Sequence, residues 1–309
     1  METNMRIMLL LLSVHALAVH AQPTVDVVGE SVVLPPSPST LGSLAFLLGL
    51  VAFLLAVVYL QPAWLMALVV RHSHPSVLWC VRTSNNVCAL TIDDAPSPAT
   101  PMILDLLKEH GVKATFFIIS GNITGNEEVM RRIVREGHLL GNHLTEDRAS
   151  IMDELHIFEQ KIRVCDSAIG SFQTPSSDDT AQEPVEKPEE EEATASTRLL
   201  SEGNSTTYEG SSFKWLRPAS GWFTSDMRDV ILRHGYRICM GSVYPHDAQI
   251  KWEAVNSLHL RMCTRPGSVI IVHDRAWTVG VLRSALPKLV DKFRFVSLDE
   301  LTTHHQKPT

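Results

Sequence analysis

The chain has 309 residues, with 27 Lys and Arg against 34 Asp and Glu, for a formal net charge of −7. Residues 171–212 alone hold ten acidic side chains against two basic ones, so the remainder is close to neutral and offers no basic face for nucleic acid. Five cysteines (Cys80, Cys88, Cys165, Cys239 and Cys263) form no CxxC pair, which excludes a disulfide framework and a zinc ribbon.

In residues 1–21, Arg6 precedes an apolar run from Ile7 to Val19, and Val19-His20-Ala21 offers a cleavage site. This pattern resembles a signal peptide and is too short to span a bilayer. Residues 22–40 hold five Pro or Gly and no Lys or Arg, and are expected as a linker. Leu41 to Leu60 is free of charge and matches the hydrocarbon thickness of a membrane, which predicts a transmembrane helix over 41–60. Residues 61–86 form a juxtamembrane segment, apolar from Trp64 to Val70 and then basic at Arg71. A single-pass membrane protein of the secretory pathway or cell surface is expected. The basic residues after the span place the C-terminal portion of the chain on the cytosolic side. The glycosylation sequons at Asn122 and Asn204 have meaning only on the lumenal side, so the two cues oppose each other.

From Val87 onward strands and helices alternate. Val87 to Pro96, V-C-A-L-T-I-D-D-A-P, is an apolar strand-length run ending in two aspartates. Thr100 to His110 carries apolar residues at Ile103, Leu104, Leu106 and Leu107 and is closed by Gly111, as a helix is. Ala114 to Ser120 reads as a strand and Glu127 to Glu136 as a helix stopped by Gly137. His138 to Asn142 reads as a strand, and Ser150 to Ile169 as a helix. The acidic stretch 171–212 is rich in Ser, Thr, Pro and Glu and is expected as a disordered insertion. Strands at 213–216, 236–241, 269–272 and 295–296, with helices at 225–234 and 279–293, complete the pattern. Residues 302–309 form a tail. Repeated βα units with buried strands argue for a parallel sheet, open or closed into a barrel.

In such a sheet, chemistry collects at the carboxyl ends of the strands. Those ends offer Asp93 and Asp94, His143 with Asp147 four residues on, Arg217-Pro-Ala-Ser-Gly221, Tyr244-Pro-His-Asp247, and His273-Asp274. Each is ordinary alone. Their shared place at successive strand ends is hard to explain as scaffolding.

On these motifs the chain resembles the polysaccharide deacetylase family, whose shared NodB homology domain is of the carbohydrate esterase family 4 type. The resemblance covers residues 87 to about 301, with the acidic stretch inserted. Thr91-Ile-Asp-Asp-Ala95 stands where the family has T-F-D-D-G, and His143-Leu-Thr-Glu-Asp147 where it has H-S/T-x-x-H. Arg217-Pro-Ala-Ser-Gly221 is similar to R-x-P-Y loops, Tyr244-Pro-His-Asp247 to D-x-x-D-W, and Val272-His273 to L-x-H. The wording of the motifs looks like a divergent, membrane-tethered, chitin deacetylase-like branch. The resemblance implies an α/β fold, a distorted (β/α) barrel, and metal-dependent removal of N-acetyl groups from N-acetylglucosamine-containing polysaccharide.

The chemistry has its own logic. Asp94, His143 and Asp147 supply three ligands for a divalent cation, which activates water and polarises a carbonyl. Asp93 is then left as general base. Arg217, by family analogy, orients Asp93, and a backbone N–H in the loop after it serves the oxyanion. His273 is the candidate acid, with Asp247 fixing its tautomer. Asp147 replaces the family's second histidine, giving a harder, more anionic donor set. Zinc is expected first, with cobalt, manganese or iron as alternatives. Glu146 is an alternative ligand. Ala248 stands where the family has Trp. Two other readings stay open: a hydrolase of another amide, imide or ester, and an inactive sugar-binding or scaffold protein.

Overall fold

The computed structural model describes residues 24–27, 30–33, 38–173 and 214–305. The stretch read as a signal peptide, and most of the acidic stretch, lie outside the described residues. The chain divides into two compact units, Met1–Val69 and Val70–Thr309.

In the first unit, β1 (Thr24–Val27) and β2 (Glu30–Val33) pair antiparallel. The stretch expected as a linker thus contains a valine-rich ribbon, as the β propensity of valine favours. Helix α1 (Pro38–Leu60) opens on proline, whose fixed φ suits a first helical position, and carries no charge. Phe46, Leu48, Phe53, Leu55 and Val58 on it are each at least 60 % exposed. Helix α2 (Ala63–His72) follows the break at Gln61-Pro62. Among the described residues no single helix is long and apolar enough to cross a membrane. Ala45–Leu60 and Ala63–His72, bent by 71°, meet that standard only as a pair.

The second unit is built on β3 (Val77–Leu78), β4 (Val87–Ala95), β5 (Ala114–Ile118), β6 (Leu139–Asn142), β7 (Lys214–Leu216), β8 (Tyr236–Cys239), β9 (Val269–His273) and β10 (Arg294–Phe295). The order is β10-β4-β5-β6-β7-β8-β3, with β9 also beside β4, and every pairing is parallel. A bridge between Val243 and Ile270 ties the chain beyond β8 to β9 and curls the sheet into an incompletely closed barrel. All nine residues of β4 are buried, because strands flank both its edges and helices cover the sheet.

The helices are α3 (Thr100–Glu109), α4 (Glu127–Arg135), α5 (Leu155–Gln173), α6 (Ser225–Arg233), α7 (Glu253–Cys263), α8 (Ala276–Val290) and α9 (Leu298–Thr303). Helix α3 buries Ile103, Leu104, Leu106 and Leu107, the apolar set its sequence displays. The expected stops at Gly111, Gly137 and Gly235 are all present, each with positive φ. Helix α5 runs to Gln173, so the first three residues of the acidic stretch are helical. Helix α5 begins five residues later than expected, at Leu155, and α9 has no counterpart in the sequence pattern. Helix α8 begins three residues earlier, at Ala276, directly after the His273 strand end. Helix α7 has no counterpart in the sequence pattern, because its buried positions include Asn256, Ser257 and His259.

Candidate active site

The parallel sheet brings the candidate residues to one end of the barrel. Asp93 and Asp94 lie near the carboxyl end of β4, His143 follows β6, Arg217 follows β7, and His273 ends β9. Ladder bonds fix their backbones. His143 N–H donates to Ile118 O (2.9 Å), Arg217 N–H to Asn142 O (3.0 Å) and Asp274 N–H to Asp93 O (2.8 Å). Asp93 and His273 are register partners on adjacent strands. Four non-glycine residues with φ between 61° and 67° (Asp94, Leu144, Ser220 and His246) sit at or just beyond the ends of β4, β6, β7 and β8. Left-handed backbone costs about 1–2 kcal/mol per such residue. Its concentration here marks a site whose geometry the surrounding fold imposes.

Arg217 is almost fully buried, and its N–H groups all find acceptors. Nε donates to Cys239 O (2.9 Å), Nη1 to Thr91 Oγ1 (2.9 Å) and to Asp93 Oδ1, and Nη2 to Met240 O (2.9 Å) and Cys239 Sγ (3.4 Å). Its guanidinium carbon lies 4.2 Å from the centre of the Phe117 ring. One carboxylate oxygen of Asp93 is therefore fixed, and the other, Oδ2, faces His143 Nε2 at 3.9 Å.

His143 Nδ1 lies 2.7 Å from Arg217 O. A carbonyl only accepts, so Nδ1 carries a hydrogen and Nε2 is turned toward Asp94 Oδ1, 3.4 Å away. Burial opposes the charging of His143, but Asp93 and Asp94 outweigh it and raise its pKa. Burial likewise works against the Asp94 carboxylate. Its hydrogen bond and charge interaction with His143, and the charges of His273 and Arg275, outweigh this and hold its pKa at about 2.

Asp147 sits on the outer edge. Its side chain is 66 % exposed, and its Oδ2 accepts from Arg275 Nη2 (3.0 Å). The same Nη2 donates to Asp94 Oδ2 (2.7 Å). The expected ligand set is therefore split. Asp94 and His143 are adjacent, and a guanidinium lies between Asp94 and Asp147. Among the described residues no three His, Cys, Asp or Glu side chains converge closely enough to hold a metal ion as they stand. Glu146, the alternative ligand, is held by Lys161 Nζ (2.7 Å) and Arg148 Nε (3.2 Å). Arg275 is absent from the sequence-derived site. Its only cue is its place two residues after His273.

Opposite the carboxylates, Asp247 Oδ1 accepts from His273 Nδ1 (2.9 Å) and Oδ2 from His273 N–H (2.7 Å). Burial lowers the pKa of His273, but Asp247, Asp93 and Asp94 reverse this and raise it to about 9. Trp277 Nε1 donates to Asp247 O (3.0 Å), so an indole stands beside this pair although residue 248 is alanine. Asn122 Nδ2, the atom a glycan would take, donates to Asp94 O (3.1 Å). Asp274 points elsewhere, to Ser97 and Thr100.

A family model described as polysaccharide deacetylase matches residues 81–239, more than half of the chain. The chain belongs to the polysaccharide deacetylase family. The family's enzymes are hydrolases of carbon–nitrogen bonds other than peptide bonds. A peptidoglycan-N-acetylglucosamine deacetylase of Bacillus cereus is 25 % identical over 241 residues, which span 73 % of this chain and 92 % of that one. Among solved structures, a peptidoglycan N-acetylglucosamine deacetylase bound to an N-hydroxybenzamide superposes with a TM-score of 0.58 at 23 % identity, covering 76 % of this chain and 95 % of that one. A pseudoenzyme of carbohydrate esterase family 4 from Bacillus anthracis gives 0.58 at 18 % identity, covering 77 % and 72 %. These two likenesses establish the polysaccharide deacetylase fold.

Proposed function

We propose that the chain is a metal-dependent hydrolase that removes N-acetyl groups from N-acetylglucosamine-containing polysaccharide. The observation that carries this reading is the meeting of an anchored carboxylate (Asp93), a carboxylate–imidazole pair (Asp94 and His143) and an imidazole backed by a carboxylate (His273 and Asp247) at one cluster of strand ends. Amide hydrolysis at neutral pH needs an activated water, a stabilised oxyanion and a proton for the leaving amine.

The donor chemistry fits a divalent cation. His143 Nε2 and Asp94 Oδ1 are separated as neighbouring donors are around an ion about 2.0–2.2 Å from each. The Arg275 guanidinium already stands in as a cation between Asp94 and Asp147. Asp94, His143 and Asp147 are the residues that would hold the ion, with zinc, cobalt, manganese or iron as candidates. Such an ion, when bound, lowers the pKa of water and polarises a carbonyl. Asp93, its Oδ1 tied to Arg217, takes the proton of the attacking water on Oδ2. His273, whose pKa Asp247 and the nearby carboxylates raise to about 9, gives its Nε2 proton to the departing amine, while Asp247 accepts from the other ring nitrogen, Nδ1. A backbone N–H of the loop after Arg217, from Ala219 or Ser220, serves the oxyanion.

Helix α1 supports a membrane-anchored reading, since its large apolar side chains are exposed and it carries no charge. The metal reading is tested by the metal content of the purified full chain. About one equivalent of divalent metal is expected, with loss in Asp94→Ala and His143→Ala. Equal, negligible metal in all three contradicts it.

A further inference from the structure

We propose that Arg275 is an internal counter-cation of the ligand set: its guanidinium competes with the divalent ion for Asp94 and Asp147, and loading of the ion requires the arginine to leave. The inference rests on the metal-dependent reading above and adds to it what sets the affinity.

One nitrogen, Nη2, bridges the two carboxylates at 2.7 and 3.0 Å. Asp94 is 3 % exposed and fixed in β4, and Asp147 is 66 % exposed in the loop after β6. Arg275 reaches them from just ahead of α8, where its own backbone is extended at φ −136°. A dication on Asp94 and a guanidinium 2.7 Å from the same carboxylate repel each other, so the two occupants exclude one another.

The second arginine of the site shows why Arg275 is the one that moves. Arg217 is almost fully buried and all of its N–H donors are used by the protein interior. Arg275 is 28 % exposed, and among the described residues its one further hydrogen bond runs from Nη1 to Asp274 O (3.2 Å). A long side chain at the surface can carry its charged head outward into water, whereas Asp94 has nowhere to go.

The bridge also accounts for the residue at position 147. A carboxylate there can pair with a guanidinium, whereas a neutral imidazole has no charge to offer it. Asp147 and Arg275 therefore form a matched pair before any ion arrives.

The test is a zinc titration of the full, chelator-stripped chain against a competing chromophoric chelator. Arg275→Gln is expected to bind zinc about tenfold more tightly than wild type, the scale on which residues around a metal site act. Arg275→Lys, which keeps the charge, is expected to remain close to wild type. Equal or weaker binding by Arg275→Gln overturns the inference and leaves the metal-dependent reading standing, whereas absence of zinc from every form overturns both. A second measurement needs no variant: modification of Arg275 by phenylglyoxal, read by mass spectrometry, should rise when zinc is added. A rate unchanged or lowered by zinc contradicts the release of the arginine.

Discussion

Arg217 spends its donors entirely inside the protein, and its bond to Asp93 decides which carboxylate oxygen faces His143. Removing one partner of a buried ion pair strands the other, at a cost of about 3–5 kcal/mol. Arg217→Met is therefore expected to lower unfolding stability by about that amount in denaturant titrations, and a loss under about 1 kcal/mol would show that the pair is not buried as described. His273 carries a pH signature. Its pKa lies at about 9 in the fold against an ordinary 6.5, so its pairing with Asp247 stabilises the fold in full below about pH 6.5 and less as the pH rises through 9. With metal stripped, the stability gap between wild type and Asp247→Asn should narrow across that window. A gap constant with pH would contradict the pairing. Asp93, Asp94, His143, Arg217, Asp247 and His273 are legible as candidates because each ends or soon follows an apolar run. Arg275 is not, since it acquires its place only by meeting Asp94, 181 positions away in the chain.

Strands and helices were readable where their burial is uniformly apolar. β4, β5 and α3 display continuous or helically spaced hydrophobic residues, and all three are found where expected. Helix α7 escapes that logic because its inner face carries Asn256, Ser257 and His259. The two-residue β3 and the bridge beyond β8 are too short to leave a pattern, yet they help to close the sheet. Gly267 belongs to the same closure. It sits at φ +78°, accepts from Val81 N–H (2.8 Å) and donates to Val87 O (2.7 Å). A Cβ there would lie 1.8 Å from Val81 O, a backbone atom of the residue whose N–H donates to Gly267 O. Gly267→Ala should cost at least about 2 kcal/mol from left-handed strain and overpacking together. An unchanged denaturation midpoint would mean that this segment is not held as described.

At the scale of the whole molecule, the uneven charge and the alternation of βα units lead to the expectation of one α/β domain beyond an apolar N-terminal region, and the chain divides into two compact units at Val69/Val70. The boundary expected at residue 87 falls late, because β3 joins the sheet from residues 77–78. The family model ends at residue 239, so β9, α8, His273 and Arg275 lie beyond it although they complete one wall of the site. The central claim is that this wall and the carboxylates of β4 act together on an N-acetyl group. The direct measurement is acetate release from N-acetylglucosamine oligomers and peptidoglycan fragments by the full chain loaded with zinc, cobalt or manganese. Release that chelation abolishes, and that falls by at least about 100-fold in Asp93→Asn, is the predicted result. No acetate with any metal from any fragment, or equal release by Asp93→Asn, would contradict it.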